Sequence, residues 1–408
     1  MTAIELFDRK PIENVISSLT TMPDRIIFVG DGEIMKKFES TYCKFLENRG
    51  SNIKLEFQAI SRNSVSSIVE VLSEIVECEE ECVFDLTGGE ELVLVAMGIV
   101  FQKYQGIKRI QMQRFNLNNG VITDCDGDGN VIYSGAPEVS VAEIVQLHGG
   151  MIRYETDEND LSEEFVKDLK NLWSICKRDP KLWNAQINIF EMFDALGLDN
   201  SSLEVKVNIA KLTAHLRNSG RKNVPIKGLL EALDKYNLIY NYSNNNIEIQ
   251  FRYKNHQIKK CLTKAGVVLE LMVLATAQSL KNEDGSSVYT DFKNGVYIDW
   301  DGRKSERYER DTVNEIDVIL MKGMLPIFIS CKNGNVDEDE LYKLDAVASR
   351  FGGVYAKKVL IATNLGKKPG SMEHFKQRAK DMKIILIDDI HEFDNARFEK
   401  MIRNLVNS

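Results

Sequence analysis

The sequence predicts an α/β protein of two or three domains, and three observations lead to this prediction. Its 408 residues are 43% hydrophobic, which is enough apolar material for more than one core of ordinary size. Continuous apolar runs alternate with amphipathic stretches over the first third of the chain. After a mostly helical middle, helices, a hairpin and strands alternate again. We therefore expect sheets that are covered by helices.

The first third has the pattern of a doubly wound, Rossmann-like layer. Its predicted strands are RIIFVGD, NIKLEFQAI, CVFDLTG and RIQMQRFNL, and a helix follows each of the first three. Such apolar strands are typical of a parallel sheet covered on both faces. The next stretch, GVITDCDGDGNVIYSG, predicts two short strands around a turn. Asp124, Asp126 and Asp128 match the start of an EF-hand loop, but its twelfth position is Gly135 rather than a bidentate Glu, which favours a polar hairpin turn.

The middle of the chain has the outline of a winged helix. A mostly helical stretch from Asp160 to Lys235 ends in LIYNYSNNNIEIQFRYK, where Asn-rich residues join two alternating strands. Residues 203–264 hold 12 basic against 4 acidic residues, whereas residues 1–149 hold 13 against 23, in a chain of net charge −9. The basic middle segment is either a solvated face or a contact surface for a polyanion such as nucleic acid.

The cysteines, histidines and apolar segments argue against other classes of protein. Seven cysteines without a CxxC pair and five single histidines predict neither a zinc knuckle nor a disulfide framework. The amino terminus, MTAIELFDRK, lacks a basic start followed by an apolar core, and the most apolar helix, VVLELMVLATA, is short and contains Glu270. We expect a soluble cytoplasmic protein with no membrane partner.

Three predicted strands of the first third end in small or polar residues just before a helix. The carboxyl ends of parallel strands share one edge, where helix amino termini favour phosphate groups. The candidate ligand-binding residues at this edge are Gly30, Asp31, Arg62, Asn63, Thr87, Gly88, Gly89 and Glu90. A nicotinamide enzyme is a rival interpretation of this edge, although the GDG sequence is not the GxGxxG fingerprint.

The stretch DLTGGEELVLVAMG, within this succession of strands and helices, resembles the CARF domain, the sensor fold of type III CRISPR defence. The resemblance covers residues 1–149 and implies binding of a cyclic oligoadenylate across a homodimer. A ring of four identical nucleotides contains a two-fold axis, so it can lie on the axis of a C2 dimer. Many relatives have Thr or Ser where Glu90 stands here; Glu90 either bonds a ribose hydroxyl or adenine amine, or begins the helix.

The stretch NEIDVILMKGMLPIFISCKNG carries acids and a lysine at the ends of an apolar hairpin. Strand periodicity places Glu315 and Asp317 on one face, and Ser330 and Lys332 on one face of the partner strand. Upstream, Glu270 lies on an apolar helix, where an unpaired buried carboxylate is costly. We therefore expect a metal ion or another cation beside Glu270. The competing interpretation is a surface hairpin with solvated charges.

This order of residues resembles the PD-(D/E)xK nuclease superfamily, the restriction-endonuclease-like fold, over residues 261–408. The resemblance implies that Asp317 and Glu270 bind Mn²⁺ or Mg²⁺ and that Lys332 is the catalytic lysine. Ser330 departs from the pattern, since many relatives have an acid there. Its presence indicates a one-metal site, replacement of the acid by Glu315, or a decayed nuclease.

The two halves together resemble CRISPR ancillary nucleases that cyclic tetra-adenylate activates. The implied division is a CARF domain at 1–149, a helical linker and winged-helix-like segment at 150–260, and a nuclease domain at 261–408. The implied protein is a homodimer that needs Mn²⁺ or Mg²⁺ and cuts DNA, RNA or both. The alternative is a ligand-responsive DNA-binding regulator with a decayed nuclease domain. Glu340 and Lys343 either line the substrate path or form an exposed helical pair.

Overall fold

The computed structural model describes residues 1–7, 9–61, 63–117, 119–135, 137–155, 161–196, 202–221, 223–302, 313–366 and 369–406, with the backbone alone at 194, 195 and 369. Two large sheets and a small one, each covered by helices, confirm the predicted α/β fold class. Across these ranges, no helix is long and apolar enough to span a bilayer.

A seven-stranded sheet forms the first third of the fold. Its strands are β1 (Thr2–Phe7), β2 (Arg25–Gly30), β3 (Lys54–Ala59), β4 (Glu81–Asp85), β5 (Arg109–Asn116), β6 (Val121–Asp124) and β7 (Val131–Ser134). The helices are α1 (Ile16–Leu19), α2 (Gly32–Asn48), α3 (Val65–Cys78) and α4 (Glu91–Tyr104). The strand order is β3-β2-β1-β4-β5-β6-β7, and the first five strands are parallel. Separate cores on its two faces confirm the Rossmann-like layer.

Strand β1 is missing from the sequence prediction, although it lies at the centre of the sheet. All six of its residues are buried, and it pairs in parallel with both β2 and β4. Glu5 interrupts its apolar run, so its periodic signal is weak. The strand order reverses between β1 and β4, and ligands of open α/β sheets bind at such a switch point.

The acidic stretch between β6 and β7 forms a hairpin turn, as predicted. The two strands pair antiparallel, and Asp124 Oδ1 accepts hydrogen bonds from the N–H groups of Asp126 and Gly127, each at 2.9 Å. The carboxylate therefore stabilises the turn through local backbone donors.

The middle of the chain confirms the winged-helix outline. Its elements are α5 (Val141–Leu147), β8 (Met151–Tyr154), α6 (Glu163–Cys176), α7 (Pro180–Leu196), β9 (Glu204–Asn208), α8 (Ile209–Asn218), α9 (Lys227–Lys235), β10 (Ile239–Asn244), β11 (Glu248–Tyr253) and α10 (His256–Thr263). Strands β10, β11 and β9 form an antiparallel sheet beside α7, α8 and α9. Strand β9 is not in the sequence prediction of a mostly helical stretch, because five residues of alternation are too short to stand out among helices.

A six-stranded sheet dominates the last third. Its remaining elements are α11 (Val267–Ser279), β12 (Asp291–Asp299), β13 (Val313–Lys322), β14 (Leu325–Lys332), α12 (Glu338–Gly352), β15 (Lys357–Ala362), α13 (Pro369–Asp381), β16 (Ile384–Ile387) and α14 (Asn395–Asn404). The order is β16-β15-β14-β13-β12-β8, so one strand from the middle segment completes this sheet. Helix α11 packs in the core on one face and α12 in the core on the other.

One hydrophobic core joins the first sheet to the last. It contains Phe7 and Phe45 from the first sheet and its helix α2, together with Phe328 and Phe351 from β14 and α12. The backbone N–H of Val141, at the start of α5, donates to the Asp291 carboxylate at 2.7 Å. Helices α5 and α12 belong to this shared core. A shift of either helix would therefore change the packing against both sheets.

Candidate functional site

The hairpin and α11 bring the predicted acids and lysine to one end of the last sheet. Asp317 Oδ2 accepts hydrogen bonds from the Cys331 N–H at 2.6 Å and the Ser330 hydroxyl at 3.3 Å. The ammonium of Lys332 lies 3.5 Å from the same carboxylate. These contacts orient Asp317 and Lys332 toward each other at the end of β14.

Lys332 has a second acidic partner on α12. Its ammonium lies 3.1 Å from Glu340, which also pairs with Lys343 at 3.1 Å. Glu340 and Lys343 form the predicted helical pair, and both also line the cleft that contains Lys332.

Burial and neighbouring negative charge disfavour the ionised forms of two of the acids. Burial raises the pKa of Glu270 to about 8, and the negative charges of Asp317 and Glu315 add to this rise. Burial likewise raises the pKa of Asp317 despite the attraction of Lys332. For Lys332 burial acts to lower the pKa, but Asp317 and Glu340 together raise it, so the lysine stays charged.

Two adjoining clefts give access to these groups. A cleft of about 290 Å³ is lined by Asp317, Ser330, Lys332 and Glu340. A second cleft of about 260 Å³ contains Glu270. Glu315 is exposed and lines both clefts, so it connects the Asp317 side of the centre to the Glu270 side.

The residues of this centre fit a hard divalent cation. Glu270 and Asp317 supply carboxylate oxygens, the ligands that Mg²⁺ and Mn²⁺ prefer. A cation would relieve the repulsion that raises the pKa of Glu270. The part of the chain that the structure describes holds no group of three or more His, Cys, Asp or Glu side chains placed to bind a metal. Mg²⁺ is commonly held by one or two carboxylates together with waters and substrate phosphates, so two acids suffice.

A second candidate site lies at the switch point between β1 and β4. A cavity of about 360 Å³ opens there, and its lining includes Arg9, Lys10, Asp31 and Glu90. Asp31 also caps α2, accepting hydrogen bonds from two backbone N–H groups of its first turn. Two of the predicted ligand-binding residues therefore line a cavity with two basic residues.

The other predicted ligand-binding residues have different surroundings. A Cβ at Gly30 would lie 2.7 Å from the Phe7 carbonyl oxygen, so this glycine permits close packing of β1 and β2. Asn63 is exposed and lies outside the cavity lining, and Arg62 lies outside the described residues. The Thr87 hydroxyl accepts a hydrogen bond from the Phe115 N–H at 2.9 Å.

The paired glycines shape the loop before α4. A Cβ at Gly88 would lie 2.5 Å from Glu13 Oε2, and Gly89 has φ +144°, a conformation that favours glycine. The lack of a side chain at Gly88 thus allows the loop to pack against the buried Glu13.

Arg9 and Lys10 are the cavity residues that the sequence prediction missed. They follow β1, which the sequence prediction does not contain. Their position beside the other loops could therefore not be predicted. The available signal was the sequence DRK directly after the run TAIELF at the chain start.

Glu13 connects this cavity to the last sheet. Its side chain is 4% exposed, and the Lys10 ammonium lies 3.2 Å and 3.3 Å from its two carboxylate oxygens. The Tyr355 hydroxyl donates a hydrogen bond to the same carboxylate. Tyr355 ends the 3-10 turn that directly follows α12. Glu13 therefore contacts both Lys10, which lines the cavity, and Tyr355, which follows α12.

Two solved structures share this fold over its whole length. The protein VC1899 from Vibrio cholerae aligns with 100% of this chain and 96% of its own, at a TM-score of 0.71 and 18% identity. Can2 from Sulfobacillus thermosulfidooxidans, solved in complex with cyclic tetra-adenylate, aligns with 100% of this chain and 97% of its own, at a TM-score of 0.68 and 14% identity.

A third solved structure is less similar. A type III CRISPR defence DNA nuclease activated by cyclic oligoadenylate aligns with 89% of this chain and 45% of its own, at a TM-score of 0.48 and 11% identity, which is too weak to show a shared fold. No protein-family model and no curated protein matches this sequence. The three-part α/β architecture is therefore one that other proteins share.

Proposed function

We propose that this chain is a nuclease of type III CRISPR defence and that a cyclic oligoadenylate activates it. The proposed activator is cyclic tetra-adenylate. In this proposal residues 1–149 bind the activator, residues 150–260 form the linker and winged helix, and residues 261–408 cut nucleic acid. The observation that carries it is the convergence of Glu270, Asp317 and Lys332 in a chain that also has a polar cavity with two basic residues at a switch point.

The centre supplies the groups that phosphodiester hydrolysis needs. Glu270 and Asp317 would hold Mn²⁺ or Mg²⁺, which when bound supplies Lewis acidity and lowers the pKa of a water ligand. The Cys331 N–H and the Ser330 hydroxyl fix Asp317 for this role. The Lys332 ammonium offsets charge on the nonbridging phosphate oxygens.

Glu315 takes the place of the acid that Ser330 does not provide. It is exposed, lines both clefts and adds to the negative charge that raises the pKa of Glu270. A carboxylate at this position can accept a proton or orient a water beside the scissile phosphate.

The cavity between β1 and β4 suits an anionic nucleotide ring. Arg9 and Lys10 would neutralise phosphates, while Asp31 and Glu90 would accept hydrogen bonds from ribose hydroxyls or adenine amines. A ring of four identical nucleotides places the same groups in front of each subunit of a C2 homodimer. Can2, which has this fold, was solved with that ring, and this supports the choice of activator.

Glu13 provides a route from activator to nuclease. An anionic ring competes with Glu13 for Lys10, and loss of that neighbour changes the charge around the bond between Glu13 and Tyr355. Tyr355 follows α12, which at its other end carries Glu340, the partner of Lys332. The ring activates the nuclease because it binds the state in which Lys332 no longer pairs with Glu340 more tightly than it binds the resting state.

Reporter cleavage tests the nuclease itself. Fluorogenic single-stranded DNA and RNA are incubated with the protein, Mn²⁺ and saturating cyclic tetra-adenylate. Asp317→Ala and Lys332→Ala should each lower the cleavage rate by roughly 10²-fold or more. Lys322→Ala, at the far end of the same strand β13, is the matched control and should cut like the unaltered protein. Equal cleavage by all variants would refute the assignment of this centre.

A DNA-binding regulator with a decayed nuclease is the second candidate. The winged-helix fold and Ser330 at the usual acid position favour it. In that case the unaltered protein should leave both reporters intact, while duplex DNA binding, measured by fluorescence anisotropy, should respond to cyclic tetra-adenylate and survive Asp317→Ala.

A further inference from the structure

The cleft that contains Glu270 has an aromatic rim. Tyr154 of β8 and Tyr297 of β12 are directly paired across the two strands. Their rings stack with centroids 4.1 Å apart and planes 24° apart. Strand β8 is at the edge of the sheet, and Tyr154 is 59% exposed although its ring rests on Tyr297. The outcome is a supported aromatic surface at the mouth of the cleft.

This aromatic pair lies in the same cleft as the proposed catalytic acids. Tyr154, Tyr297, Glu270 and Glu315 line the same cleft of about 260 Å³. Tyr297 and Glu315 are paired residues of β12 and β13, and a hydrogen bond joins their side chains. Burial, reinforced by this bond to Glu315, raises the pKa of Tyr297, so its hydroxyl remains the donor. Tyr297 thus holds the Tyr154 ring at a fixed place relative to the centre.

The same cleft also carries positive charge suited to a nucleic-acid backbone. Lys260 and Lys264 line it, and Lys264 is exposed close enough to Glu270 to influence its pKa. Aromatic rings beside basic side chains are the recurring surface for single strands, because bases stack on the rings while phosphates meet the charges. In a duplex the base faces are already covered by their neighbours in the stack, so they are not offered to such a ring.

We propose that Tyr154, supported by Tyr297, binds an unpaired nucleobase of the substrate beside the cleavage centre, which makes the enzyme selective for single-stranded nucleic acid. This inference rests on the proposed nuclease function. The stacked base fixes the strand so that the adjoining phosphate enters the cleft with Glu270, and Lys260 and Lys264 hold the flanking phosphates. Tyr154 is accordingly a specificity residue that acts through substrate binding.

The test compares variants of the full-length protein with Mn²⁺ and saturating cyclic tetra-adenylate. Tyr154→Ala should lower kcat/KM on single-stranded oligonucleotides by about 10- to 100-fold, as expected when base stacking is removed. Tyr154→Phe should stay within about twofold, because it keeps the ring. Tyr342→Ala removes a tyrosine that is 46% exposed on α12 and lines neither cleft, and it should leave the rate unchanged.

Abasic substrates separate stacking from a purely structural role. An oligonucleotide with abasic sites along its length should be a poor substrate for the unaltered protein, and Tyr154→Ala should lower that rate little further. Tyr154→Leu, which keeps apolar contact with Tyr297, should behave like the Ala variant while retaining the melting temperature. A ring that only holds β8 to β12 would instead give an Ala variant that melts early and a Leu variant of full activity.

The outcomes distinguish this inference from the proposed function. Absence of cleavage by the unaltered protein on every substrate would refute the proposed nuclease. Cleavage of single strands and duplexes at equal rates, or full activity of Tyr154→Ala on single strands, would refute the stacking site and leave the nuclease in place.

Discussion

At the scale of single residues, the candidate centre contains a buried carboxylate, Glu270, with two negatively charged neighbours. Burial, Asp317 and Glu315 raise the pKa of Glu270 to about 8, from an ordinary value of 4.5. Because the folded pKa lies above the unfolded one, the folded protein is the stronger proton binder. The contribution of Glu270 to stability is therefore fully present below about pH 4.5 and is lost as the pH rises through about 8.

Neutralising Glu270 should stabilise the metal-free protein in alkaline solution. We expect Glu270→Gln to raise the melting temperature more at pH 8.5 than at pH 5, because glutamine cannot be deprotonated. Each kcal/mol corresponds to roughly 2–4 °C or less in a protein of this size. Differential scanning fluorimetry at both pH values measures the effect.

Manganese should reverse the order of the two melting temperatures at pH 8.5. Added Mn²⁺ should stabilise the unaltered protein and have little effect on Glu270→Gln, since a ligand that binds only the folded state raises its stability. Glu399→Gln changes an exposed residue of α14 and is the control. An equal gain for Glu270→Gln at pH 5 and pH 8.5 would contradict the assigned charge repulsion.

At the scale of secondary structure, α12 lies between the candidate centre and Glu13, the partner of the cavity residue Lys10. Its first turn carries Glu340, which pairs with Lys332, and the turn that follows it carries Tyr355, which bonds Glu13. Buried residues of α12 belong to the core that joins the two large sheets. A rigid helix packed in this way can transmit a displacement from one end to the other.

Loss of the pair between Glu340 and Lys332 should weaken the resting state. We expect Glu340→Gln to raise cleavage without activator by about 2- to 5-fold, which corresponds to a partly exposed ion pair of about 0.5–1 kcal/mol. Reporter cleavage with Mn²⁺ and no cyclic oligoadenylate measures this basal rate. Lys343→Gln removes the other partner of Glu340 and should produce no increase; a rise in the control alone would refute the role of Glu340.

The elements also show why only part of the site was accessible to sequence reasoning. Asp317, Lys332 and Glu270 lie on strands and a helix with clear periodicity, so their convergence could be predicted. Arg9 and Lys10 follow a short strand with a polar residue inside it, and the strand was missed. Contacts between distant elements leave no local pattern.

The pairing of β8 with the last sheet illustrates this limit. A four-residue strand carries too little alternation to reveal its partner, and so the aromatic rim of the cleft was hidden with it. The contact between Glu13 and Tyr355 spans 342 residues of sequence, and it depends on how the two sheets pack.

At the scale of the whole molecule, the shared core and the buried Glu13 connect the cavity to the candidate centre. The first third of the chain is acidic, and the segment 203–264 is basic. The basic segment would attract nucleic acid despite the net charge of −9. Specific coupling between the sites must then come from contacts such as the one between Tyr355 and Glu13.

Removal of the Tyr355 hydroxyl should separate binding from activation. We expect Tyr355→Phe to bind cyclic tetra-adenylate as the unaltered protein does, while the activator-induced increase in cleavage falls by roughly tenfold or more, as for loss of a hydrogen bond to a charged group. Calorimetry measures binding, and reporter cleavage measures activation.

Tyr342→Phe is the matched control for this experiment. Tyr342 lies on α12 and is 46% exposed, and its hydroxyl accepts a hydrogen bond from Arg378 instead of contacting Glu13. This variant should keep full activation. Full activation of Tyr355→Phe would show that the coupling takes another path.

We propose that a nucleotide ring bound at the first sheet turns on hydrolysis at Asp317 in the last one. The most direct test measures reporter cleavage with Mn²⁺ during titration with cyclic tri-, tetra- and hexa-adenylate, for the unaltered protein and for Asp317→Ala. We predict a large increase with cyclic tetra-adenylate for the unaltered protein and none for the variant. Equal cleavage rates with and without every ring would contradict the account.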